Sequence, residues 1–353
     1  MKSVSVALMV IDSNEMVIFS PAVWCYGRKG KHTMDYRKLG TAGIKVSVLS
    51  LGAWLTYGSN RIEEERAVAC IRYAIEQGIN FIDVADIYAH GRAEEVVGRA
   101  IKDHKRSDLV ISTKAYWSMS DNVNDRGLSR KHIIESVNKS LKRFDTDYID
   151  VFFCHRYDDE TPVEETVRAI DDLIRQGKIL YWGTSMWTGA NIDEAYDAVE
   201  RTNANRPVVE QPLYNMLDRE VVEGELERTV AARGMGLVVW SPLAQGVLTG
   251  KYNDGVPADS RANTVDKNWF AEQISEERIG KARAISALAA ELETTPAALA
   301  LAWTLKNPVV SSAITGATKT AHIDENLKAL DVKITYEINA RIESILNNKP
   351  VTA

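Results

Sequence analysis

Cysteine is scarce in this chain, with Cys25, Cys70 and Cys154 the three among 353 residues. An odd count without Cys-x-x-Cys or mixed His/Cys ligand spacing argues against a disulfide framework or a structural zinc. It points to a reducing, cytoplasmic setting. Long apolar runs are missing too. The one near the start, Val4-Ser-Val-Ala-Leu-Met-Val-Ile11, is ended by Asp12. It is too short for a membrane span, and no small-residue cleavage pattern follows closely enough for a signal peptide. Nor is there a surplus of positive charge. The formal balance of −6 leaves little to hold a phosphate backbone, so nucleic acid is not an expected partner. No Gly-x-Gly-x-x-Gly opens a helix after an early strand and no Gly-x-x-x-x-Gly-Lys-Ser/Thr occurs, so neither a Rossmann-type cradle nor a P-loop is indicated.

What the chain does have, from Met34 onward, is a regular alternation of strand-like and amphipathic helical runs, the pattern of parallel βαβ units. Tyr36 to Leu39 and Ile44 to Val46 read as a hairpin around Gly40-Thr-Ala-Gly43. Eight strands are expected at Val48 to Leu51, Ile79 to Asp83, Leu109 to Lys114, Tyr148 to His155, Ile179 to Ser185, Val208 to Gln211, Gly236 to Trp240 and Val309 to Thr315. Helices are expected between them, among them one capped by Ser129, one with Pro162 in its first turn and one over 219 to 233. The stretch from Ser241 to about Glu276 breaks the rhythm and reads as a long functional loop. The expected fold is therefore α/β: a closed (β/α)8 barrel with an N-terminal hairpin and a long loop after strand 7, as one domain over 34–353. Residues 1–33 precede it as an extension. The sequence leaves open whether that is an upstream start, an expression remnant or an extra strand.

Four titratable side chains fall at successive strand tips: Asp83 after the second, Tyr88 in its loop, Lys114 at the third and His155 at the fourth. Taken singly, each has a structural explanation. Asp83 caps the next helix, Tyr88 packs beneath it, Lys114 snorkels to the surface and His155 is a satisfied core histidine. Strand tips converge on one face of a barrel, however, and the four together mark a catalytic face.

These residues and the motifs around them resemble the aldo-keto reductases from Met34 to Pro350. The resemblance is carried by Asp83-x4-Tyr88, the Lys114 and His155 strands, Gly183-Thr-Ser185, Glu210-Gln211, Trp240-Ser-Pro-Leu-Ala244, Leu248-Thr-Gly-Lys-Tyr252, Gly316-Ala-Thr318 and Glu325-Asn326. Within the family, Arg126 to Glu135, Thr161 to Ala169 and Tyr181-Trp-Gly-Thr-Ser185 are similar to the branch of the potassium-channel β subunits and their bacterial relatives. The resemblance implies metal-free, reversible reduction of aldehydes or ketones by NADP(H), with NAD(H) the alternative. It makes Tyr88 the proton donor. Lys114, held by Asp83, would lower the tyrosine's pKa, and His155 would orient the carbonyl oxygen.

The same matching implies the cofactor contacts. Ser185 and Gln211 would hold the carboxamide and Trp240 would stack on the nicotinamide, with Ala53, Trp54 and Asp83 nearby. Ser241, Pro242, Leu243, Ala244, Gln245, Lys251 and Arg261 would cover the pyrophosphate. Gly316, Thr318, His322, Glu325 and Asn326 would surround the adenosine end. Met186 stands where many relatives have Asn or Arg. Gly316 and His322 stand where strongly NADP(H)-preferring members carry Lys and Arg. Trp54, Tyr57 and Trp117, with Trp187 as a further candidate, read either as an aromatic substrate wall beside Tyr88 and His155 or as ordinary packing. His155 replaces the Asn of the channel subunits, which favours a working reductase of small carbonyl compounds. The alternative is a cofactor-binding regulatory subunit with slow turnover. Assembly into a homo-oligomer is a further expectation of that branch.

Overall fold

Segments such as Val110-Ile-Ser-Thr-Lys114 and Ile149-Asp-Val-Phe-Phe-Cys154 are apolar on both faces, which suits a strand whose outer side is covered by helices and whose inner side fills a barrel. The computed structural model describes residues 32–59, 62–257, 260 and 272–350, together with the backbone of Trp24–Cys25. It begins with a small antiparallel sheet of β1 (Trp24–Cys25), β2 (Asp35–Lys38) and β3 (Lys45–Ser47). Then come eight parallel strands: β4 (Leu49–Gly52), β5 (Phe81–Asp83), β6 (Val110–Ala115), β7 (Ile149–Cys154), β8 (Ile179–Ser185), β9 (Val209–Gln211), β10 (Gly236–Val239) and β11 (Val310–Thr315). They pair in sequence order, and β11 closes the barrel on β4 with Ala313 opposite Leu49 and Thr315 opposite Leu51. The expected (β/α)8 barrel with its hairpin is therefore what forms.

Two apolar layers hold it. The larger lies between the strands and the surrounding helices, from Glu64–Glu76 through Tyr336–Leu346. Cys70 and Cys154 are buried in it as free thiols. The smaller fills the barrel, with Phe81, Val110, Val151, Phe153, Val209, Val238 and Ile314. Leu39 and Val46 of the hairpin join this inner layer, so the hairpin plugs the end where the strands begin. Arg37 fastens the plug by donating to the Val310 and Leu305 carbonyls at 2.6 and 2.8 Å. Gly40 has φ +55°, and a Cβ there would stand 2.2 Å from the Gly234 carbonyl oxygen, so the turn demands glycine. With one end plugged, the other is left for chemistry.

Ser129 caps its helix as expected, its side chain accepting from the His132 amide. Three expectations change. The helix over 219–233 is interrupted by a widened π-type turn, Val222–Leu226, before regular helix resumes at Glu227–Arg233; Gly224 in that turn lets the backbone loosen. Pro162 sits at the cap, one residue ahead of the helix Val163–Arg175. Trp240 lies beyond β10, in an isolated bridge to Leu213. In the extension, Trp24 and Cys25 pair antiparallel with Tyr36 and Asp35, which makes that part an extra strand. Of the long segment after β10, residues 258–259 and 261–271 fall outside the described residues, and with them Arg261.

Candidate active site

Parallel pairing sets the ends of β5, β6 and β7 side by side, with Asp83 opposite Ser112 and Lys114 opposite Phe153. Asp83 closes β5 and Lys114 is next to last in β6; both are buried, Lys114 completely. An amine in that position must be partnered. Lys114 Nζ donates to Asp83 Oδ2 at 2.7 Å, to the Val84 carbonyl at 2.6 Å and to Tyr88 Oη at 3.4 Å. The second oxygen of Asp83 accepts from Ser112 Oγ at 2.8 Å and from Gln211 Nε2 at 2.9 Å. Gln211 belongs to β9, across the barrel from β5. One carboxylate thus ties together both walls.

Tyr88 is half-buried and opens a tight turn, Tyr88–Gly91, in which Ala89, His90 and Gly91 all have positive φ (50°, 52° and 88°). A left-handed backbone at Ala and His is costly, and such residues concentrate where a site must be shaped. Leu55, Met186, Ser241, Ala244 and Gln245 share it, and all lie in loops that leave the C-terminal ends of barrel strands. His155 follows β7; its amide donates to the Ala115 carbonyl at 3.1 Å. Its ring meets Tyr88 edge-on at 5.9 Å and Trp117 at 6.2 Å, and its Nδ1 is buried with no hydrogen-bond partner among the described residues. The four side chains expected to meet are together.

Their electrostatics set burial against the amine. Burial pushes the Tyr88 phenol well above 10, Asp83 pushes it further, Arg156 opposes and Asp86 adds to the rise. The ammonium of Lys114 lies 2.7 Å from Asp83 and 3.4 Å from the phenol, so the carboxylate takes the larger share of its charge. Burial, then Lys114 and Arg156, hold the His155 pKa well below 6.5, so its imidazole is neutral at physiological pH.

The residues expected around a cofactor lie on the same rim. Ala53 is buried and donates its amide to the Asp83 carbonyl at 2.9 Å; Trp54 beside it is 37% exposed. Ser185 Oγ donates to the Gln211 carbonyl at 3.0 Å, Met186 turns left-handed, and Trp240 is half-buried. In the loop after β10, Ser241, Pro242, Leu243, Ala244 and Gln245 form a strained turn in which Gln245 Nε2 donates to Ser241 Oγ. Lys251 folds back so closely that a Cβ on Gly246 would meet its Cε at 2.6 Å. Past β11, Gly316 is exposed, the Thr318 amide donates to His322 Nδ1 at 3.3 Å, Glu325 accepts from Lys328 at 2.6 Å and Asn326 is buried. Desolvation and the charges of Lys319, Lys251 and Arg66 lower the His322 pKa.

For two of the aromatic residues the structure shows the packing alternative. Tyr57 is 1% exposed and donates its hydroxyl to the Ala317 carbonyl at 3.0 Å, so it is core rather than pocket wall. Trp187 is likewise buried, edge-on to Tyr157. Trp117, at 41% exposed, does face outward beside His155. Sequence reading passed over Ser112, Asp86 and Arg156, and gave Glu210 no role beyond its place in the Glu210-Gln211 motif. Arg156 directly follows His155, and Asp86 lies between Asp83 and Tyr88, so adjacency was the available signal. Among the described residues no group of three or more His, Cys, Asp or Glu side chains is gathered as a metal ion would need.

Comparison with known proteins agrees with this geometry. The Aldo/keto reductase family model matches residues 48–347. An Arabidopsis thaliana protein described as a probable voltage-gated potassium channel subunit beta is 47% identical over 323 residues, 90% of this chain and 98% of that protein. An Oryza sativa protein of the same description matches to the same extent. The barrel, the residues at its open end and these matches together place the chain in the aldo/keto reductase family.

Proposed function

We propose that the protein reduces aldehydes or ketones to alcohols with NADP(H). The observation that carries this reading is the cluster at the strand ends, where a phenol stands 3.4 Å from an amine held by a buried carboxylate, with a neutral imidazole against its edge. The donor set fits a nicotinamide cofactor. Ser185 and Gln211 offer amide-binding groups, Trp240 a ring face, and the rim of Lys319, Lys251 and Arg66 suits an extra phosphate. The bound cofactor would supply the hydride.

The protein's own residues do the rest. As the carbonyl oxygen becomes negative its basicity overtakes that of the phenol, so Tyr88 gives up its proton despite a raised pKa. Lys114 then faces the phenolate and stabilises it, while Asp83 keeps the amine charged and fixed. The His155 ring, edge-on to Tyr88, is suited to orient the substrate oxygen. Purified protein mixed with NADPH and small aldehydes should consume reduced cofactor. Tyr88→Phe should lose at least about a hundredfold in kcat while still binding NADPH by fluorescence. Full activity in that variant refutes the assignment.

A second reading is a subunit that holds the cofactor and turns over slowly. The descriptions of the relatives favour it. It predicts cofactor that co-purifies and single-turnover hydride transfer far faster than steady state.

A further inference from the structure

A cation without a carboxylate partner stands beside the proposed reaction centre. Arg156 follows β7 directly and is half-buried. Its Nη1 donates to the His155 carbonyl, and its guanidinium lies 5.5 Å from the Trp117 ring centroid. Among the described residues it forms no ion pair with any Asp or Glu. Two other half-buried arginines are paired, Arg106 with Asp150 and Arg278 with Asp218 at 2.7 and 2.8 Å, while Arg37, far from this face, donates to the Val310 and Leu305 carbonyls. Arg156 is close enough to Tyr88, Lys114 and His155 for its charge to act on all three.

The groups around it do not cancel that charge. Lys114 and Asp83 neutralise each other at 2.7 Å. His155 is neutral, and burial holds the carboxyls of Glu210 and Asp86 protonated up to about 8. What remains at neutral pH is one positive charge, next to the tyrosine and beside an exposed indole face. A guanidinium in a partly desolvated recess favours an anion with two oxygens in one plane.

We infer that Arg156 is a specificity-determining residue and that the favoured substrates are carbonyl compounds carrying a carboxylate, whose anionic arm pairs with Arg156 over the Trp117 ring while the carbonyl lies at Tyr88 and His155. This rests on the reductase reading above and names its substrate class.

The test compares 4-carboxybenzaldehyde with 4-nitrobenzaldehyde, both with NADPH, in the wild-type protein, Arg156→Met and Arg156→Lys. Benzoate binding to the NADPH-loaded proteins is followed in parallel by tryptophan fluorescence. In Arg156→Met the ratio of kcat/KM for the charged over the uncharged aldehyde falls at least about tenfold, chiefly through KM, and benzoate binding weakens to a similar degree. Arg156→Lys recovers part of both, and added salt erodes the wild-type preference. An unchanged ratio together with unchanged benzoate affinity overturns the proposal. If no aldehyde is reduced by any of the proteins, the reductase reading falls, and the benzoate titration alone decides whether Arg156 holds a carboxylate. Should Arg156→Met fail to fold by circular dichroism, Arg156→Gln supplies the same comparison.

Discussion

Asp86 is 1% exposed, and neither of its carboxyl oxygens meets a hydrogen-bonding side chain. Desolvation, reinforced by Glu94, pushes its pKa from 3.8 to about 8. Between those values the native protein keeps a proton that the unfolded chain has released, so stability falls as pH rises across that window. Glu210, raised from 4.5 to about 8, acts in the same sense. Asp86→Asn removes one of these penalties. It should raise Tm by about 2 °C or more at the alkaline end of the window and have little effect at the acid end, as followed by thermal melts in matched buffers. Equal shifts at both ends would mean that the carboxyl is not held protonated. Asp83, Tyr88, Lys114 and His155 were legible in the sequence because each closes or follows an apolar run. Asp86 and Arg156 were not, because their character depends on what fails to reach them. Missing partners leave no trace in a linear pattern.

Strands and helices were legible to within a residue or two, since their periodicity is imposed by which face is buried. The turn carrying Tyr88 was not. Ala89 and His90 turn left-handed without glycine, and only the packing around them enforces it. The widened turn at Val222–Leu226 was equally hidden, because a single glycine in a helical run marks a weak point without saying whether the turn there widens. Contact between strands gives a sharper test. Gly183 in β8 would place a Cβ 2.4 Å from the Val209 carbonyl oxygen of β9, whereas nothing lies within 4 Å of one at Gly224. Gly183→Ala should therefore cost about 1–3 kcal/mol in denaturant titrations. Gly224→Ala should be neutral or stabilising, by at most about 1 kcal/mol. A Gly183→Ala protein as stable as the parent would show that β8 and β9 can part far enough to admit a methyl group.

For the molecule as a whole, a ligand that binds only the folded barrel must raise its melting point by mass action. At a hundred times its Kd, NADPH should add about 2.7 kcal/mol, a shift of several degrees. If the Lys319, Lys251 and Arg66 rim takes the additional phosphate, NADH at equal concentration should shift Tm less, and the gap should shrink as salt is added. Identical shifts would remove that rim from cofactor selection. The barrel itself was legible because eight alternations leave few ways to bury both faces of eight short strands. Closure by β11 on β4 has one more consequence, for how the protein is made. Asp83, Lys114 and His155 are all translated early, yet Leu49 to Leu51 gain their second neighbours only when Ala313 to Thr315 arrive. A nascent chain on the ribosome therefore carries its reactive groups long before it has a sealed wall to hold them. Until the last strand clears the exit tunnel, β4 presents an unpaired edge that a chaperone or a neighbouring nascent chain can reach.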